Sequence, residues 1–177
     1  DSRDFENNKV TVNGTLDLEA NKRSQGAVGA VAGMLQHVSN ISANDAACDS
    51  LTIAASGENG ASFAGGIIGR ALDCDTLTSN SLTLRQADIS ATGSSSAAAG
   101  GLIGKSSELD ASECSVDVAG GGSLSLASYG RSWGSAATGG LVGASSNDTI
   151  SRLHLTAQTG TKLQFESKVD SQDTQKT

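Results

Sequence analysis

The sequence predicts an all-β fold, a parallel β-solenoid (β-helix) of about four rungs, each of roughly 36 residues with three short strands. Three observations lead there: a five-residue phrase that recurs along the chain, a composition dominated by small residues, and an apolar/polar alternation of period two between the copies.

The phrase is Gly65-Gly66-Ile67-Ile68-Gly69, repeated as Gly100-Gly101-Leu102-Ile103-Gly104 and Gly139-Gly140-Leu141-Val142-Gly143, with a weaker copy Gly29-Ala30-Val31-Ala32-Gly33. The copies begin at residues 29, 65, 100 and 139, hence 36, 35 and 39 residues apart. A second phrase lies between copies: Cys48-Asp49-Ser50-Leu51-Thr52-Ile53, Cys74-Asp75-Thr76-Leu77-Thr78-Ser79 and Ile150-Ser151-Arg152-Leu153-His154-Leu155, with Cys114-Ser115-Val116-Asp117-Val118 one residue shorter. A third reads Leu16-Asp17-Leu18, Leu82-Thr83-Leu84, Leu124-Ser125-Leu126 and Leu163-Gln164-Phe165. The unit that starts at Gly29 lacks this third phrase on this reading. Alternation within each phrase is that of a strand with one buried face. One such unit cannot bury its apolar face alone, whereas stacked units share a continuous narrow core.

The resulting organisation is one repeat domain over 1–177, with a partial N-terminal unit 1–28, repeat units 29–64, 65–99, 100–138 and 139–165, and a polar C-terminal tail 166–177. A sandwich of short strands is the alternative all-β reading, and it leaves the long repeat without an explanation.

Composition agrees. Of 177 residues, 27 are Ser, 24 Ala, 22 Gly and 14 Thr, about half the chain; aromatics are 3% and Pro is 0. So few large apolar residues cannot fill a thick, irregular core. Gly at this level disfavours long helices, and absent Pro suits strands whose N–H groups all enter ladders. Hydrophobic residues are still 37% and evenly spaced, which argues against disorder. No apolar run approaches the length of a membrane span. The net charge of −7 comes without a basic stripe, so no nucleic-acid partner is expected. The chain begins at Asp1 with no charged-then-apolar leader, as expected of a mature product or an excerpt.

Gly100-Gly101-Leu102-Ile103-Gly104-Lys105-Ser106-Ser107 followed by Glu113-Cys114-Ser115-Val116-Asp117-Val118 resembles the GLUG repeat. The copy at Gly139 resembles it equally, that at Gly65 somewhat less and that at Gly29 weakly, so the likeness spans roughly residues 26–165. The resemblance implies a segment of a large secreted or surface protein, such as an adhesin or an IgA-cleaving metallopeptidase, and it implies no catalytic residue. Localisation is accordingly expected to be extracellular or at the cell surface.

No enzymatic activity, metal or cofactor is expected. His37 and His154 are not one helical turn apart beside a Glu, as a zinc peptidase requires. Gly104-Lys105-Ser106 lacks the upstream Gly of a phosphate loop, since Ala99 occupies that place. Asp45, Asp49, Asp73, Asp75 and Glu113 read as solvated turns rather than a calcium site. Cys48, Cys74 and Cys114 open successive copies of the second phrase, so they form a candidate cross-rung ladder. A column of reduced thiols is favoured over one disulfide with a leftover thiol. Asn13, Asn40 and Asn147 head glycosylation sequons that matter only in a secreted eukaryotic protein. Tyr129 and Trp133 form the one aromatic-rich spot, able to meet a sugar or partner or to plug the solenoid.

Strict alternation through the first phrase puts Val31, Ile67, Leu102 and Leu141 inward. It then puts Ala32, Ile68, Ile103 and Val142 outward as an apolar ladder. That ladder predicts a protein partner or self-association, lateral over Ile68, Ile103 and Val142 or end to end at the open rungs. Three functions are carried forward: a non-catalytic structural or adhesive segment of a stalk or filament, an accessory module of a surface peptidase, and a carbohydrate-binding solenoid. An ice-binding face is disfavoured, because the outward positions Asp17, Thr83, Ser125 and Gln164 form no threonine row.

Overall fold

The computed structural model describes residues 3–131 and 134–170. Period-two alternation makes strands, and pairing each strand with its counterpart one repeat later makes every sheet parallel. Among the described residues the result is a β-solenoid of about five turns with no helix, built from four sheets rather than three. The β1 sheet contains β1 (Asp4–Glu6), β5 (Asn40–Ser42), β9 (Thr76–Thr78), β13 (Asp110–Ser112) and β17 (Thr149–Ser151). The β2 sheet is the widest, with β2 (Lys9–Lys22), β6 (Asp45–Gly57), β10 (Ser81–Gly93) and β14 (Ser115–Arg131). Its last turn is split into β18 (His154–Ala157) and β19 (Lys162–Asp170). The β3 sheet has β3 (Gly26–Gly29), β7 (Ala61–Gly65), β11 (Ser96–Gly100) and β15 (Ser135–Gly139). The β4 sheet has β4 (Ala32–Gln36), β8 (Ile68–Leu72), β12 (Ile103–Ser107) and β16 (Val142–Ala144).

The five-residue phrase is a corner, not a strand. It ends one strand at Gly65 and begins the next at Ile68, with the chain bent at Gly66 and Ile67. There the N–H groups of Ile67 and Ile68 both donate to Leu102 O, at 2.9 and 3.1 Å. Val31 and Ala32 do the same to Ile67 O, and Leu102 and Ile103 to Leu141 O. Two successive amides pointing one way break the alternation, so two successive side chains enter the core. Ile68 and Ile103 are therefore 0% exposed, as are Ile67 and Leu102, and Val142 is half-buried. The expected outward ladder does not exist, and Ile68 and Ile103 offer no surface for lateral association. A Cβ on Gly66 would lie 2.1 Å from Gly101 O and 2.4 Å from Leu82 Cδ2, which is why this corner takes glycine.

Two other corners use the left-handed region once per turn. Asn7, Ala43, Ser79, Glu113 and Arg152 have φ between 48° and 55° where the β1 sheet passes to the β2 sheet. His37, Asp73, Glu108 and Asn147 do so ahead of the β1 sheet. This conformation is unusual for side chains other than Gly, Asn, Asp and His. Stacked corners secure it, since each amide bonds the neighbouring turn: Asn7 N to Ser42 O, Ala43 N to Thr78 O, Ser79 N to Ser112 O.

Register also corrects the phrases. Leu16, Leu51, Ala87, Leu124 and Leu163 share one column, and Leu18, Ile53, Ile89, Leu126 and Phe165 the next inward one. The unit at Gly29 thus has its third phrase, Leu51-Thr52-Ile53. Leu82 and Leu84 belong instead with Ala46 and Cys48. Alternation alone cannot tell these columns apart, because each supplies an inward residue at every second position. Of the expected polar tail, residues 166–170 continue β19, which reaches Asp170.

Candidate functional site

The three cysteines do not share a column. Cys48 pairs with Val12 and Leu84 inside the β2 sheet. Cys74 lies between β8 and β9, level with Val38. Cys114 precedes β14, one residue before Ser115, and so stands with Asn80, one residue before Ser81. The expected ladder fails because its shared Cys-to-Leu spacing comes from two different sheets. All three thiols are free. Burial pushes their pKa values up, with Asp49 adding to the effect at Cys48.

The column Cys114 does join holds a feature the sequence reading missed. Asn8, Asn44 and Asn80 stack on successive turns, with Asn8 Nδ2 donating to Asn44 Oδ1 and Asn44 Nδ2 to Asn80 Oδ1, both at 2.8 Å. The backbone N–H of Asn8 and of Asn44 donates to the same acceptors. Asn44 Nδ2 also bonds Phe5 O, and Asn80 Nδ2 bonds Ile41 O and Thr78 O. Asn80 N donates to Cys114 Sγ at 3.4 Å, where the ladder changes to sulfur. Asn44 and Asn80 are fully buried, and their amides are satisfied by this register. The 36-residue spacing of these three Asn was present in the sequence.

Of the remaining candidates, Tyr129 lies on β14 opposite Lys168, and its hydroxyl donates to Glu166 at 3.3 Å. The Glu166 carboxylate raises the Tyr129 pKa. Trp133, the other member of the aromatic-rich spot, lies outside the described residues. Asn13 and Asn147 are exposed, and Asn40 is half-buried and donates to Glu6 and Ser42. His154 is exposed on β18, and His37 is exposed 3.8 Å from Asp73. Among the described residues no three His, Cys, Asp or Glu side chains come together as a metal site, and no helix is long and apolar enough to cross a membrane.

Two further features sit on the outer surface. Arg70 and Lys105, register neighbours in the β4 sheet, lie 5.0 and 5.3 Å from the Phe63 ring centroid and help seal an aromatic that is 1% exposed. Burial lowers the Arg70 pKa, opposed by Asp73. A shallow groove of about 290 Å³ runs beside the bulge in the β2 sheet, where Asn13, Asp49 and Arg85 interrupt the register beside Val12, Cys48 and Leu84.

The last described turn exposes a cluster of apolar side chains. Ile150, Leu163, Phe165 and Val169 are the exposed large apolar residues of the last turn. Ile150 stands over Ala111, Leu163 over Leu124 and Phe165 over Leu126, each of them buried one turn earlier. The last described turn thus presents a cross-section of the core, with β15 to β19 as the outermost strands of their sheets. Comparison with family models, curated proteins and solved structures finds no match.

Proposed function

We propose that this chain is a non-catalytic structural or adhesive β-solenoid segment of an extracellular or cell-surface protein, assembling into a stalk or filament. The observation that carries the reading is the continuity of the solenoid. Every described turn contributes to the same inward columns, while outward columns such as Thr52, Asp88, Ser125 and Gln164 vary freely. A scaffold needs that pattern: its length and stiffness come from the inner columns and its surface is unconstrained. The GLUG-like phrase at the corners supports the surface setting by resemblance.

Two measurements test it. Antibody raised against the purified chain is expected to label intact, unpermeabilised source cells or their medium; label confined to the cell interior overturns the surface setting. Purified chain is expected to leave peptide and glycan substrates uncut; hydrolysis abolished by a point substitution in the chain overturns the non-catalytic reading.

A further inference from the structure

Resting on that reading, we infer that the partner of the open C-terminal end is a second copy of this chain, stacked head to tail so that its first turn continues the last turn of the copy below. The two ends match sheet by sheet. The upper end exposes the free edges of β17, β18 and β19, β15 and β16; the lower end exposes those of β1, β2, β3 and β4. Each open edge therefore has its own counterpart, and all four sheets run through the junction in parallel.

The columns match as well. Following the internal register, Phe5 of the next copy falls on Ile150, Val10 on Leu155, Leu16 on Leu163 and Leu18 on Phe165. In these four columns one apolar residue meets another at the strand spacing of about 4.8 Å, whereas Val169 meets Lys22. At the corner, Asn8 of the next copy falls over Leu153. In the ladder, Oδ1 of each Asn accepts the N–H of the residue one turn below, so Asn8 Oδ1 is placed to accept Leu153 N–H. Outside the core, Glu19 falls on Glu166, the one like-charge pair among these columns. The bulge poses no obstacle. Four residues, 119–122, already stack over the single Arg85 inside the molecule, and the junction asks 158–161 to stack with the two residues Asn13 and Gly14. Because the contact is heterologous and continues the stack along the solenoid's own axis instead of turning back on itself, it gives an open filament.

Sedimentation velocity and cross-linking test this together. The weight-average mass of the wild-type chain is expected to rise with concentration beyond a dimer. Leu163→Lys with Phe165→Lys is expected to stay monomeric with a melt close to wild type. In a Cys48→Ala background, Thr11→Cys with Thr156→Cys places exposed column-mates within disulfide reach across the junction. Mild oxidation is expected to yield covalent multimers larger than dimers, while either single substitution yields none. A monomer at millimolar concentration with no cross-linking overturns the inference, as does a dimer from either single variant, which signals like ends meeting. A monomer whose melt collapses on Leu163→Lys with Phe165→Lys also overturns it, since the end is then covered by the chain itself. None of these outcomes bears on where the chain resides, which the labelling experiment decides separately.

Discussion

Leu126 and Phe165 stand in one column on successive turns, yet Leu126 is 0% and Phe165 45% exposed. Both sit on strands of the same sheet, β14 and β19. The difference lies in what is stacked above them. In the middle turns a side chain is covered by its counterparts on both sides; in the last turn one side is open. Burial in this molecule is thus a property of neighbouring turns, and stability approximates a sum over interfaces between them. The asparagine ladder teaches the same lesson. Asn44, with a turn on either side, has every amide group bonded, whereas at Cys114 the ladder gives way to sulfur and the next residue in the column is Leu153.

The contrast is broken most directly by placing a charge in each region. Ile103→Lys, or Leu102→Asp, puts an unpaired charge in the central core. The cost of several kcal/mol competes with a total stability of about 5–15 kcal/mol, so circular dichroism is expected to show an unfolded or grossly destabilised chain. A melt near that of wild type would show the inward assignment at the corner to be wrong.

Truncation sharpens the comparison without charge. Leu126→Ala is expected to cost about 2–5 kcal/mol in urea unfolding, as for other buried leucines. Leu163→Ala, in the neighbouring column one turn later, is expected to cost well under half of that at concentrations where the chain is monomeric. Equal losses would mean the last turn is as well covered as the middle ones.

A smaller effect is expected at Asn44. Asn44→Ala removes the acceptor of Asn8 N–H and Nδ2 and the donor to Asn80 and Phe5. With each group left unbonded in the interior costing about 1–3 kcal/mol, a loss in that range is expected. Amide hydrogen exchange should quicken first on β1 and β5. An unchanged exchange pattern would remove the ladder from the list of what holds the turns together.

The smallest effect is a pH dependence. Burial raises the pKa of Cys74 and Cys114 in the folded chain, so the folded state holds these protons more tightly than the unfolded state. Their contribution is full below the ordinary thiol value of about 8.5. It declines as pH rises above that, because the unfolded thiols ionise first. Between pH 8 and 10 the wild type is expected to lose more stability than a Cys74→Ala, Cys114→Ala variant. Equal slopes would place both thiols in contact with solvent.

The recurring glycine phrase, the near-36-residue spacing and the two-residue alternation were enough to specify parallel strands stacked turn on turn. A repeat whose units each bury half of a face has few other ways to satisfy its backbone. Register was not legible at the same level. Leu51 and Leu77 both follow a cysteine by three residues, yet one lies in the β2 sheet and the other in the β1 sheet. The corner was equally hidden, because paired donation to one carbonyl, not side-chain pattern, sends Ile67 and Ile68 to the same side. The sequence by itself therefore determined the period, the strand character and the absence of a thick core. Only the tertiary structure decided which residues share a column, that four sheets rather than three form each turn, and that the apolar surface lies at the end of the solenoid instead of along its flank. The physical reason is that side-chain alternation is a local property of the chain, whereas column, corner and cover are defined by hydrogen bonds to another turn some 36 residues away.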